Sequence, residues 1–192
     1  LTLYFLDRAG VEIECFAPDR DQMHVVDHLK GEPSKESRNV LVESARIARG
    51  EIRDLGEADM NDLDALVLPG GFGVAKNLST FATEGNAATV DPGLSSLVAQ
   101  ALSQSKPVMA ICISPAIVAA ILSQQGSAAK LTIGNDSDTA AAIEHWGCTH
   151  QECEVHDMVV DEELKIISTP AYMLGPGPAA IGAGIEKGIE QL

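Results

Sequence analysis

Pro107-Val108-Met109-Ala110-Ile111-Cys112-Ile113-Ser114-Pro115-Ala116 is the stretch on which the fold turns. After Pro107, residues 108–111 form a short unbroken apolar run, which suits a strand buried on both faces of a parallel sheet. Pro115 then opens a helical stretch whose apolar positions are Ile117, Val118, Ile121 and Leu122. A strand that turns at once into a helix is the repeating unit of an α/β domain. Ala65-Leu66-Val67-Leu68 is a second such run; it breaks at Pro69-Gly70-Gly71-Phe72-Gly73, with a helix predicted from Val74. Between the two runs, Asp91-Pro92 reads as an N-cap followed by proline at the first helical position. Leu94, Leu97, Val98, Ala101 and Leu102 continue it as one apolar stripe.

The flanks keep the alternation. Residues 1–9 read as the second half of a helix stopped by Gly10, and residues 11–16 alternate like a strand. An α/β domain supplies a strand and a loop before such a helix, so residues 1–192 are expected to be one domain without its first strand and following loop. Residues 17–36 are a polar loop or short excursion, and residues 37–49 a helix ended by Gly50. Further on, a strand is predicted over 131–133 and a helix over 136–146, closed by Gly147. Residues 158–160 and 164–167 flank an acidic turn as a hairpin or neighbouring strands. The Gly-rich tail from Pro176 to Leu192 reads as a weak helix at best. The pattern predicts an α/β fold: a doubly wound, mostly parallel sheet with helices on both faces.

A chain of 192 residues can bury about 70% of its unfolded surface, and needs neither disulfides nor metal to fold. Thirteen Lys and Arg against 28 Asp and Glu give a net charge of −15. That field repels phosphate backbones and anionic membranes, so neither nucleic acid nor membrane is an expected partner. No apolar stretch approaches the roughly 18–20 residues of a membrane span. Together these features lead to the expectation of a soluble, cytoplasmic protein with its four cysteines reduced.

In a doubly wound sheet, ligands sit beyond the carboxyl ends of the strands. The glycine loop after Leu68 falls there, and so does Cys112. A sharp strand-to-helix turn exposes a side chain near the positive end of a helix, which lowers a thiol's pKa. In such an elbow the next backbone N–H, here that of Ile113, is one oxyanion donor, and Gly71 in the glycine loop offers a second. The alternative is a buried, inert thiol, a common state for free cysteine. The glycine loop lacks both the Lys-Ser/Thr ending of a P-loop and dinucleotide spacing, which argues against a nucleotide.

Leu68-Pro69-Gly70-Gly71-Phe72-Gly73 with Lys76-Asn77-Leu78, and Ala110-Ile111-Cys112-Ile113-Ser114-Pro115-Ala116, resemble the PfpI-like branch of the class I glutamine amidotransferase superfamily. Five further stretches narrow the resemblance to the ElbB group, named for enhancing lycopene biosynthesis and described as glyoxalases. They are Cys15-Phe16-Ala17-Pro18-Asp19, Arg38-Asn39-Val40, Arg49-Gly50-Glu51-Ile52, Leu131-Thr132-Ile133-Gly134 and Thr169-Pro170-Ala171-Tyr172-Met173. The resemblance runs over nearly the whole chain. It implies a flavodoxin-like sandwich, a homodimer, and an elbow cysteine that attacks glyoxal or a related small dicarbonyl substrate. No cofactor is implied, neither metal nor nicotinamide.

The chain also departs from that branch. Amidotransferases and PfpI-type peptidases commonly carry histidine directly after the cysteine, where this chain has Ile113. Glutaminase or peptidase chemistry needs such a base to protonate a leaving amine. The deglycase branch has a histidine where this chain reads Gly134-Asn135-Asp136. The family's glutamate belongs to a loop ahead of the first helix. Asp136 and Asp138 are partial substitutes; the other role for Asp136 is simply an N-cap. Phe72 and Tyr172 are each either pocket wall or packing. His145, Cys148, His150, Cys153 and His156 lie within twelve residues, but their spacing is unlike a zinc knuckle and no metal site is expected. A second functional class stays open: a noncatalytic redox sensor or partner-binding protein in which Cys112 is oxidised.

Overall fold

A computed structural model describes residues 1–192. In chain order the elements are α1 (Thr2–Ala9), β1 (Phe16–Ala17), β2 (Val26–Asp27), β3 (Glu32–Pro33), α2 (Val40–Ile47), β4 (Arg53–Asp54) and β5 (Leu66–Leu68). There follow α3 (Phe72–Asn77), α4 (Phe81–Glu84), α5 (Pro92–Ser103), β6 (Val108–Ile111), α6 (Ser114–Gln124), β7 (Lys130–Leu131) and α7 (Ser137–His145). The chain ends with β8 (Thr149–His150), β9 (Val159–Asp161), β10 (Ile166–Thr169) and α8 (Pro178–Ile189). The main sheet has the order β5-β6-β10-β9. Its β5, β6 and β10 are parallel, and β9 runs antiparallel against β10. Two short parallel pairs, β1–β4 and β7–β8, and the β2–β3 hairpin stand outside it.

The period of two along β6 assigns its side chains to the two helical layers. Val108 and Ala110 join a cluster with Leu97, Ala116, Ala119 and Ile143, on the side of α5, α6 and α7. Met109 and Ile111 join the opposite cluster with Leu6, Ile181, Ile185 and Ile189, on the side of α1 and α8. All four β6 residues are buried, as their apolar run predicts. Helix α6 is buried from Ser114 to Leu122 without interruption, because sheet and neighbouring helices enclose it. The doubly wound α/β architecture therefore stands as read. So does the start of α5, where the Asp91 carboxylate accepts the Leu94 N–H at 3.0 Å.

Several boundaries differ. Residues 11–15 are not strand, since β1 finds only the two residues of β4 to pair with. The strand predicted over 131–133 shrinks to Lys130–Leu131; beyond it, Thr132 N–H turns to the Ser168 hydroxyl at 2.9 Å. Helix α3 starts at Phe72, not Val74, with Gly71 as its N-cap. The Gly-rich tail is the largest correction. It forms the full helix α8, with Ile181, Gly182, Gly184, Ile185, Gly188 and Ile189 buried.

Glycine there lets α8 approach the sheet side closely. A Cβ on Gly184 would lie 2.4 Å from the Val155 carbonyl oxygen and 2.8 Å from Thr169 Oγ1. Backbone oxygen cannot step aside as a flexible side chain does. Gly184→Ala is expected to lose about 1–2 kcal/mol in urea unfolding, overpacking outweighing alanine's better helix propensity. Gly73→Ala, in α3, has nothing nearer than 4.0 Å and should be neutral or stabilising in the same measurement.

Candidate active site

The main sheet delivers three loops to one edge. Strand β5 ends at the glycine loop, β6 at Cys112, and β10 at Pro170-Ala171-Tyr172-Met173. Because β5 and β10 flank β6 in parallel, their carboxyl ends converge on the elbow from both sides.

Cys112 has φ 64°, in the left-handed region that a side chain adopts at a cost of about 1–2 kcal/mol. Three contacts impose that turn. The Cys112 N–H donates to the Thr169 carbonyl at 3.0 Å. The buried Ser114 hydroxyl donates to the Pro69 carbonyl at 3.3 Å, pinning the start of α6 to the glycine loop. Gly70 lies so near that a Cβ there would sit 2.5 Å from Cys112 Cβ and 2.5 Å from the Ile111 carbonyl oxygen. Glycine is required at Gly70 by close approach and at Gly71 by its φ of 101°.

The Cys112 thiol is half-buried, and the backbone N–H groups of Gly71, Ile113, Tyr172 and Met173 lie near enough to lower its pKa, although none makes a hydrogen bond to the sulfur. Gly71 and Ile113 are the donors read from sequence; Tyr172 and Met173 are additional. The latter pair belongs to a short 3-10 turn after β10, whose buried Ala171 also has positive φ, 43°. Burial is the largest influence on the thiol and raises its pKa; the four N–H groups pull it down without reversing that. The expected lowering at the elbow is therefore outweighed by desolvation. No charged side chain contributes.

The same sign holds at Cys15, Cys148 and Cys153, where burial also raises the thiol, at Cys153 up to about 11. Folded protein thus holds its thiol protons above the ordinary cysteine value of about 8.5. The linked stability is complete below that value and is lost as pH rises through the folded values. Urea midpoints should accordingly fall between pH 8 and 10. Iodoacetamide labelling of Cys112 should still be accelerating with pH above 8.5, and a plateau below pH 7 would contradict the burial assignment.

Phe72 and Tyr172 are not core: they are 78% and 61% exposed, on the two segments that supply the donors. The Lys76 ammonium stands 5.2 Å from the Phe72 ring centroid and 3.4 Å from His24 Nδ1. Asp136 is committed elsewhere. Its carboxylate accepts the Thr139 N–H at 2.9 Å as the N-cap of α7, and its hydrogen bonding to Thr139 lowers its pKa. The thiol cluster near the chain's end does not converge. Cys148 is buried, its sulfur accepting the Ala129 N–H at 3.5 Å, while His150 Nε2 faces the Ile133 N–H at 3.4 Å. No group of three or more His, Cys, Asp or Glu side chains is placed to hold a metal ion. No helix is long and apolar enough to cross a membrane.

No protein-family model matches the sequence. Individual relatives do. A human protein, glutamine amidotransferase-like class 1 domain-containing protein 3, mitochondrial, is 42% identical over 181 residues, covering 89% of this chain and 66% of the relative. The chain thus spans just under two thirds of the human relative's length. A rat ES1 protein homolog, mitochondrial, is 40% identical over 98% of this chain and 74% of its own length. The zebrafish ES1 protein, mitochondrial, is 32% identical over 90% and 68%. These names overturn the expectation of a cytoplasmic protein; acidic composition speaks to solubility and not to compartment. Among solved structures, an isoprenoid biosynthesis protein with an amidotransferase-like domain from Ehrlichia chaffeensis superposes with a TM-score of 0.90 at 38% identity. That match covers 98% of this chain and 86% of the other. With these identities over most of the rat and zebrafish proteins, the chain belongs to the ES1 family of glutamine amidotransferase-like class 1 domain proteins.

Proposed function

We propose that this chain carries a cofactor-free glyoxalase of the ElbB type, with Cys112 as nucleophile. The observation that carries the reading is the strained strand-to-helix cysteine at the carboxyl ends of three parallel strands, with the backbone N–H groups of the two flanking loops near its sulfur. The Cys112 thiolate adds to one aldehyde carbon of glyoxal, forming a C–S bond and an alkoxide that the donors of Gly71 and Ile113 stabilise. Protonation gives a hemithioacetal. Its C–H proton then moves to the neighbouring carbonyl carbon through an enediol, so one carbon is oxidised as the other is reduced. The resulting thioester is cleaved by water to glycolate, and the thiol is restored. Atoms and electrons balance with water as the sole co-reactant. Phe72 and Tyr172, exposed beside the donors, are the proposed walls of the substrate mouth.

Carbon-13-labelled glyoxal followed by NMR tests this directly. The expected result is saturable formation of glycolate; disappearance of glyoxal into arginine and lysine adducts alone would contradict it. The homodimer implied by the family resemblance is tested by sedimentation velocity, where a single monomeric species would count against it.

A second reading rests on a different observation: within residues 1–192 no charged side chain acts on the Cys112 thiol. In a redox sensor, peroxide would oxidise the thiolate to a sulfenate whose oxygen the same N–H groups receive. Peroxide-dependent modification of Cys112 without any dicarbonyl turnover would favour that reading over the enzyme.

A further inference from the structure

We propose that Lys76 is the anion-recognising residue of the Cys112 site, and that the substrate is a short 2-oxoaldehyde carrying a carboxylate or phosphate at its far end. The proposal rests on the glyoxalase reading of Cys112 and names the substrate class of that same site.

Lys76 stands apart from the other cations of the chain. Of the 13 Lys and Arg, only Lys76 and Lys106 are half-buried; the rest are exposed. Burying a charge is costly unless it is paired and hydrogen-bonded. Lys106 has a backbone acceptor near the amino end of β6, where its ammonium donates to the Met60 carbonyl. Lys76 has neither carboxylate nor carbonyl. It is in none of the ion pairs that occupy Arg8, Arg20, Arg38, Arg46 and Arg53. Its one hydrogen-bond partner is Nδ1 of the exposed His24, at 3.4 Å. An ammonium has three donors, so two are left open.

The position is that of the substrate mouth. Helix α3 begins directly after Gly71, and Lys76 lies one turn beyond Phe72, about 6 Å along the axis. Helical side chains lean toward the N-terminus, and the ammonium comes back over the Phe72 ring, 5.2 Å from its centroid. Phe72 is the exposed wall of the mouth, next in sequence to the Gly71 whose N–H lies near the sulfur. The excursion of residues 17–36 holds this arrangement from outside. The Met23 N–H donates to Asn77 Oδ1 at 2.9 Å, which sets His24 beside Lys76. Because an ammonium only donates, His24 Nδ1 accepts, and the neutral ring restrains the cation without cancelling its charge.

An anionic head on the open N–H groups leaves the aldehyde end of a short substrate to reach Cys112. A net charge of −15 repels anions over most of the surface, so an unneutralised ammonium is needed to take one. A charge-assisted hydrogen bond then favours the anion over a neutral analogue. The reaction follows the course given for glyoxal, with water as co-reactant: 4,5-dioxopentanoate would yield 2-hydroxyglutarate. Lys76 keeps its proton throughout.

The test compares kcat/KM for 4,5-dioxopentanoate with that for 2-oxopentanal, its neutral counterpart of equal chain length. The ratio is expected to exceed about tenfold in the parent, to fall to about one in Lys76→Met, and to stay high in Lys76→Arg. A ratio near one in the parent, or one unchanged in Lys76→Met, would overturn the anion site while leaving the glyoxalase reading intact. A second arm needs no turnover: 2-hydroxyglutarate and 3-phosphoglycerate, at about 10 mM, are each added during alkylation of Cys112 by uncharged iodoacetamide. Either anion should slow labelling at least about threefold in the parent and not in Lys76→Met, the stronger one showing whether carboxylate or phosphate is preferred. Such protection without turnover would sink the glyoxalase reading and support anion recognition at Lys76. Absence of both turnover and protection would overturn the site.

Discussion

Cys112→Ser should fold as the parent does and form glycolate from glyoxal no faster than uncatalysed background, a loss of roughly a hundredfold or more. Serine keeps the size of the side chain and the same φ of 64°, and leaves the Thr169, Pro69 and Gly70 contacts of the elbow in place. What it removes is the ionisable sulfur. A hydroxyl with only N–H groups near it, and no charged side chain to accept its proton, is a poor nucleophile at neutral pH. Circular dichroism and urea unfolding alongside the glycolate assay separate lost chemistry from lost structure. Turnover retained in the variant would remove Cys112 from the reaction.

Gly70→Ala is expected to lose both structure and activity. Its Cβ would meet Cys112 Cβ and the Ile111 carbonyl oxygen, both at 2.5 Å, and the Ile113 nitrogen at 3.1 Å. All three belong to the elbow's backbone or its first side-chain atom, so nothing flexible can yield. The loop must lift away from β6, which carries the Gly71 N–H off the sulfur and breaks the Ser114 contact to Pro69. A loss of about 2–4 kcal/mol in urea unfolding is expected, as for severe overpacking of a core. The surviving folded fraction should label at Cys112 with altered pH dependence, because one of the four N–H groups near its sulfur has moved. An unchanged unfolding midpoint would show that the loop can shift freely, and the close approach would then have no functional weight.

The parts of the site differ in how legible they are from sequence. Cys112 could be found because an apolar run ending in Cys-Ile-Ser-Pro states both the strand and the helix start locally. The Asp91 cap and the alternation along β6 are local in the same sense. The influence of the Tyr172 and Met173 N–H groups could not be found that way, since they come near the thiol only because β10 pairs directly with β6. A hairpin of β9 and β10 is readable from sequence, but the strand that β10 meets on its other side is a long-range choice. Helix α8 was obscured for a related reason. Its glycines lower intrinsic helicity, and only the sheet they approach makes them favourable. The pKa direction of Cys112 depended on a balance between burial and N–H donors that position in the chain does not disclose.

The most direct test of Cys112 as nucleophile is to quench the protein during glyoxal turnover and map covalent adducts by peptide mass spectrometry. A glyoxal-derived thioester on the Cys112 peptide is expected, removable by hydroxylamine and absent once glyoxal is exhausted. Glycolate forming steadily while Cys112 stays unmodified throughout would contradict a covalent mechanism at this cysteine.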